Sequence, residues 1–263
     1  MPKNKPIISN PAKTLLQDGQ PIIGMAVFEY LRPSLIKIAS MAGFDQILVD
    51  MEHGSWNMES LTNFMVSARD NNLTPIVTVV SPERSLVSKM LDSGALGIIL
   101  SHTETVDQVH DLIRWAKYAP DGERGIALGP NAEYNNTNVA QYCRDANDSI
   151  LILPKIESPD GIRNAEGIMN VPGVDGIVFG PGDLSVKMGH PGDSKHPHVV
   201  EALESVVQLA IEHGIPVEPA IMPTDASSYK RERARGAQIF GATRQSEYDL
   251  LKKAAQDVME IYT

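Results

Sequence analysis

The feature that most constrains this chain is an eightfold alternation. Short apolar runs, too brief to be helices, take turns with longer amphipathic runs from one end to the other. Candidate strands fall at 22–27, 46–50, 76–80, 97–101, 150–156, 176–179, 216–220 and 238–241. Helical patterns fall at 33–42, 58–71, 86–93, 106–117, 161–169, 198–213, 225–235 and 246–261. Most of the strand runs are rich in Ile, Val and Leu with little alternation, as in parallel strands covered on both faces. The runs ALESVVQLAIEHG and LIKIASMAG carry the helical period. Gly43, Gly94, Gly214 and Gly236 each follow a helical run, where a left-handed residue ends a helix with little strain.

Eight units in 263 residues give about 33 residues each, the size of a compact strand–helix repeat. No Pro/Gly/Ser-rich linker divides the chain. The pattern predicts an α/β protein of one domain, 1–263, folded as a single (β/α)8 TIM barrel. An open doubly wound sheet would carry a Gly-rich phosphate loop after its first strand, and FEYLRP stands there instead. The polar, Asn-rich stretch 118–148 reads as a long loop near the active face.

Composition narrows the function. There are 33 acidic against 23 basic residues, a net charge of −10, which argues against nucleic acid as the main partner because phosphate binding needs a positive field, while leaving room for a local basic pocket. Cys143 is the single cysteine, so no disulfide forms within the chain. The start has no apolar run of signal-peptide length, and no stretch approaches the roughly 18 apolar residues of a membrane helix. The expectation is a cytoplasmic protein with no membrane partner.

A parallel barrel builds its active site at the carboxyl ends of its strands. The polar residues there are Asp50, Glu52 and His53; Glu83 and Arg84; Ser101 and His102; Lys155 and Glu157; Gly180, Pro181, Gly182 and Asp183; and Glu218. Glu157 and Asp183 end neighbouring strands. Two carboxylates at one mouth repel unless a cation lies between them, and hard oxygen ligands suit Mg²⁺ or Mn²⁺, with Co²⁺ also fitting. The plainer reading is a pair of solvated carboxylates capping loops. The run Gly180-Pro181-Gly182-Asp183-Leu184-Ser185 opens a helical turn whose free N–H groups suit an anion, or else is an ordinary tight turn capped by Asp183. His53, oriented by a carboxylate such as Asp92, reads as a general base, or as a cap of the second helix. His190, His196 and His198 share a Gly/Pro loop, but their spacing fits no standard zinc site.

Taken in order, FDQILVDMEHGSWNMESL, KMLDSGALGIIL, DGERG and LPKIESPDGIRNAEGIMNVPGVDGIVFGPGDLSVKMGHPGDSKHP resemble the HpcH/HpaI aldolase and citrate-lyase family, in particular its metal-dependent pyruvate-type aldolases. The resemblance implies a (β/α)8 barrel, commonly a hexamer whose C-terminal helix is exchanged between subunits. It implies that Glu157 and Asp183 hold a divalent ion chelated by a 2-oxo acid, that the backbone of Gly180 to Asp183, with Ser185, binds the substrate carboxylate, that His53 with Asp92 acts as the base, and that Asp50 supports the loop. The activity implied is a lyase that forms or cleaves a carbon–carbon bond between a 2-oxo acid and an aldehyde through an enolate. Decarboxylation or acyl-CoA cleavage at the same site, and an inert 2-oxo-acid-binding barrel, are the alternatives.

Three departures from the family pattern stand out. The arginine expected at the end of the third strand is replaced by Thr78, Lys155 stands where glutamine is usual, and Ser101-His102 replaces an apolar pair containing proline. Lys155 shares a strand face with Glu157 and is the candidate to replace the lost charge, with Arg84 a weaker one. Arg32, Tyr30, Trp56, Arg84, Arg124 and Tyr134 are candidates to meet the aldehyde.

Overall fold

The computed structural model describes residues 6–54, 56–135, 138–241 and 244–262. Seven parallel strands lie side by side in the order β6-β5-β4-β3-β2-β1-β7. They are β1 Ile22–Val27, β2 Gln46–Val49, β3 Thr74–Val79, β4 Gly97–Leu100, β5 Leu151–Ile156, β6 Val178–Phe179 and β7 Ile239–Phe240. The expected eighth strand, 216–220, is a bridge and not a strand. Ile177 N donates to Pro216 O, Glu218 N to Ile177 O, and Gln238 N to Val217 O, so this segment joins β6 to β7 and closes the ring. Pro216 and Pro219 flank it and have no N–H to give a longer ladder.

Strand alternation builds two cores. Ile22, Ala26, Leu48, Ile76, Ile99, Leu151, Leu153, Val178 and Ile239 point inward and fill the cylinder. The alternate residues, such as Val49, Val77, Val79, Ile98 and Ile152, pack outward under the helices. The helices that follow the strands are α2 Pro33–Ala42, α3 Met58–Asp70, α4 Arg84–Asp92, α5 Val106–Ala116, α7 Pro159–Met169, α9 Pro197–Glu212, α10 Ala226–Arg235 and α11 Glu247–Met259. Gly43 and Gly236 cap α2 and α10 with φ of 91° and 115°, a conformation that side chains with a Cβ rarely adopt.

Three further α-helices stand outside the alternation. Pro11–Gln17 (α1) lies under the amino ends of the strands and seals the cylinder with Ala12 and Leu16. Asn10 caps it and ties it to Leu96 O and Ser149 O. Val139–Ser149 (α6) corrects the reading of 118–148 as one long loop near the active face. Its buried Tyr142 and Ala146 pack with Ile8, Leu96 and Tyr118, at the amino ends of the strands and opposite the mouth; Asn136 and Thr137 lie outside the described residues. Pro181–Lys187 (α8) follows β6 at the carboxyl end. No helix among the described residues is long and apolar enough to cross a membrane.

Candidate active site in the barrel mouth

The inward register that fills the cylinder continues past the last apolar layer and aims polar residues into the mouth. Asp50, Thr78, Ser101, Lys155, Glu157 and Gly180 all follow the inward positions of their strands. Asp50, Thr78, Ser101 and Glu157 are buried.

Glu157 is the centre of this group, with no exposure to solvent. Its Oε1 accepts from His102 N at 2.7 Å. Its Oε2 meets the Lys155 ammonium at 2.8 Å. Lys155 also lies 3.8 Å from Glu52 Oε2. Burial pushes the Glu157 carboxyl above its ordinary value, against the pull of Lys155 and His102. Burial would depress Lys155, but the Glu157 carboxylate, with Glu52 and Asp183 behind it, holds the ammonium above its ordinary value. Asp183 sits half-buried in the first turn of α8.

Glu52 is the strand-end residue to which the sequence assigned no role. The Asp50 carboxylate accepts from Glu52 N and His53 N, each at 2.8 Å, and so bends the chain back over the strand end. Ser101 Oγ then donates to Glu52 Oε2 at 2.6 Å, and His102 Nε2 lies 3.2 Å from Glu52 Oε1. Burial would raise the Glu52 carboxyl, yet the Ser101 hydrogen bond and the charges of Lys155, His102 and His53 outweigh it and lower it. His102 Nδ1 is 3.4 Å from Glu157 Oε1 and 3.3 Å from Lys187 Nζ. Glu52, His102 and Glu157 can each offer a ligand atom within 4.8 Å of the others. The signal was present in the sequence as the Ser101-His102 departure, because both of its side chains meet Glu52.

Other expected residues lie elsewhere. His53 is 63 % exposed on its turn, with Nε2 3.9 Å from Glu52 Oε2. Asp92 is not its partner within the chain. A helix after a parallel strand runs back down the outside of the barrel, so the end of α4 points away from the mouth. There Asp92 accepts from Arg124 Nη2 at 2.7 Å, which also removes Arg124 from the mouth. Arg84 turns outward over the Trp115 ring at 5.6 Å and does not replace the missing strand-end charge. Ser185 is buried and its hydroxyl donates to Gly182 O, inside its own helix. Gly180 N donates to Ile156 O, so it is not free for an anion. Trp56 Nε1 donates to Asp50 O. Tyr134 and Arg32 are exposed, and exposed Tyr30 meets Tyr248 edge to face. Outside the mouth, His190 stacks on His196 at 3.4 Å with His198 at 4.9 Å from His196.

Residues 28–245 match the HpcH/HpaI aldolase/citrate lyase family. The chain belongs to that family. A hydroxypyruvate/pyruvate aldolase of Delftia acidovorans is 32 % identical over 206 residues, 78 % of this chain and 76 % of the relative. A 2-keto-3-deoxy-L-rhamnonate aldolase of Klebsiella pneumoniae is 30 % identical over 202 residues, 77 % of this chain and 75 % of the relative. Among solved structures, an HpcH/HpaI aldolase from Desulfitobacterium hafniense superposes with a TM-score of 0.85 at 28 % identity, over 95 % of each chain. The family and its lyase chemistry are thus as the sequence implied.

Aldolases of the HpcH/HpaI family use a divalent metal, and the mouth fits one. Glu157 Oε2 is a buried carboxylate oxygen whose one close partner among the described residues is the Lys155 ammonium. Gly180 leaves it room, since a Cβ at 180 would overlap that oxygen and stand 2.7 Å from Glu157 Cβ. The surrounding donors are carboxylates and an imidazole, which suit a divalent ion.

Proposed function

We propose that this chain is a divalent-metal-dependent aldolase that makes or breaks the bond between a 2-oxo acid of pyruvate type and an aldehyde. The observation that carries the reading is the fully buried Glu157, set against Gly180 at the carboxyl end of the barrel in a member of this family. Glu157 and Asp183 would hold the ion, Mg²⁺, Mn²⁺ or Co²⁺. That ion supplies a Lewis acid to the keto oxygen of the substrate.

The protein's part is charge placement and proton movement. Removing a proton alpha to the ketone leaves negative charge on the keto oxygen. Lys155 is the cation in the mouth placed to meet it, in the role that Thr78 cannot fill. His53, on the turn held by Asp50, moves the proton at its imidazole, with the Glu52 charge 3.9 Å from its Nε2. Gly182 and Asp183 offer backbone N–H groups in the first turn of α8 to the substrate carboxylate. The partners in this reading are small molecules, and the chain works as a cytoplasmic homo-oligomer, hexameric by its resemblance.

The test is proton exchange of the pyruvate methyl group in D₂O, followed by NMR with Mg²⁺, Mn²⁺ or Co²⁺ added to chelator-stripped protein. Exchange that depends on the metal and is lost in Glu157→Gln is expected. Absence of exchange with all three ions refutes the reading.

A further inference from the structure

Three of the residues by which this chain departs from its family pattern, Ser101, His102 and Lys155, meet at one carboxylate, Glu52. His102 is held firmly at that place. Its backbone takes φ of 48°, which is unusual for a residue with a side chain, and its N–H is fixed to Glu157. The ring is then bracketed by two carboxylates, with Nε2 at 3.2 Å from Glu52 Oε1 and Nδ1 at 3.4 Å from Glu157 Oε1.

A neutral ring has one N–H. If Nε2 carries it and donates to Glu52, Nδ1 presents a lone pair toward a carboxylate oxygen that already accepts a hydrogen bond. Two acceptors facing each other need a cation between or beside them. In this structure the half-exposed Lys187 ammonium stands 3.3 Å from Nδ1, shared with Glu104 at 3.4 Å. A ligating histidine is usually oriented by a carboxylate at its other ring nitrogen, and Glu52 Oε1 lies 3.2 Å from His102 Nε2. A 3.4 Å span between Nδ1 and Oε1 is one that two donors at about 2.1 Å from a common ion can bridge.

We propose that His102 Nδ1 is an additional ligand to the metal in the mouth, oriented by Glu52, and that this imidazole makes the chain favour a borderline transition ion such as Co²⁺ or Zn²⁺ over Mg²⁺. The inference rests on the metal site of the proposed function and adds to it. Carboxylate and water suit Mg²⁺, whereas imidazole suits the later first-row ions. Lys187, on the exposed side of the ring, is displaced when the ion binds. Ser101 has a matching role: its hydrogen bond holds the Glu52 carboxylate beside His102 Nε2.

The experiment is calorimetric titration of the chelator-stripped full chain with Co²⁺ and with Mg²⁺. It is run in a background carrying His196→Gln and His198→Gln, so that the imidazoles of the 190–198 loop do not compete. His102→Asn is the variant, because Asn tolerates the left-handed backbone at 102. The background protein is expected to bind Co²⁺ about a hundredfold more tightly than Mg²⁺, and His102→Asn to lose about tenfold or more in Co²⁺ affinity with little change for Mg²⁺. Pulsed EPR of the Mn²⁺-loaded protein should show nitrogen coupling that disappears in the variant. Circular dichroism confirms that the variant is folded. An unchanged Co²⁺ to Mg²⁺ ratio in His102→Asn, or no nitrogen coupling in the background protein, overturns the inference. In either case, a Glu157→Gln variant that loses both metals leaves the proposed function standing. A Glu157→Gln variant that keeps full affinity for both overturns the metal site and the inference together.

Discussion

Glu157 and Lys155 occupy alternate positions of one strand, share its inward face and meet at 2.8 Å. In the proposed function that ammonium meets the charge of the enolate, while a bound ion would itself neutralise Glu157. Lys155→Met is therefore expected to remove the exchange of pyruvate protons while leaving metal binding largely intact, since Glu157 and Asp183 remain. Normal exchange in that variant, read by NMR, shows that Lys155 only neutralises its neighbours. Gly180 gives a second prediction. A methyl group there competes for the space of Glu157 Oε2. Gly180→Ala should lower stability by about 1–3 kcal/mol and weaken metal binding, checked by denaturant titration and calorimetry. The sequence marks Gly180 as a place where backbone approaches something closely. It does not say that the something is Glu157 and not a ligand, because that depends on which side chain β5 aims across to β6. Glu52 and His102 were harder to read. Spacing along a strand locates Lys155 and Glu157, but Glu52 reaches the mouth through a turn closed by Asp50, and His102 through a positive φ. Neither has a period that can be counted.

At the scale of elements, the alternation of runs was enough to place every strand of the ring. The strand expected from proline-flanked residues 216–220 was too long, because the apolar pattern does not register the missing N–H groups. Direction of travel matters as much as existence. α4 was legible as a helix, yet pairing its last residue with His53 ignored that the helix leads away from the mouth. The helix α10 offers a prediction of its own. Asp225 caps it, accepting from Ser227 N and Ser228 N at 2.8 Å each. The Ser228 hydrogen bonds, chiefly that from its backbone N–H, hold the Asp225 carboxyl below its ordinary value. A carboxyl lowered by folding adds stability above its unfolded value, near 3.8, and loses it as pH falls through the folded one. Amide protection in the first turn of α10 should thus decline as pH is lowered through that range. Asp225→Asn, which keeps a cap but no charge, should show protection that no longer varies with pH there. Hydrogen exchange at several pH values, read residue by residue, distinguishes the two.

For the whole molecule, charge and exposed apolar surface point in different directions. A net charge of −10 does not draw a 2-oxo acid toward the surface, so attraction has to come from the mouth itself, from Lys155, Lys187 and the bound ion. A continuous stretch of exposed apolar surface lies at the C-terminal end. Leu251 and Val258, both more than half exposed, lie seven residues apart and therefore on one side of α11, and Met259, Ile261 and Tyr262 continue the exposed apolar surface. The anchorage of α11 to its own barrel is at its start: Glu247 is its one buried residue, with a carboxylate that accepts from Phe28 N and Glu29 N, Tyr248 stacks on Phe28, and Leu250 packs partly buried on the core. An apolar stripe of this kind is costly in water and is expected to be covered by another copy of the chain. The helix itself was legible from its period, but its partner was not, because a pattern within one chain does not reveal a contact between chains. Light scattering should give a mass that is a multiple of 28.7 kDa, and the double variant Leu251→Glu/Val258→Glu should shift it toward a single chain. If the unaltered protein runs as a single chain at micromolar concentration, the exposed face of α11 has another use, and the expectation of a hexamer fails with it.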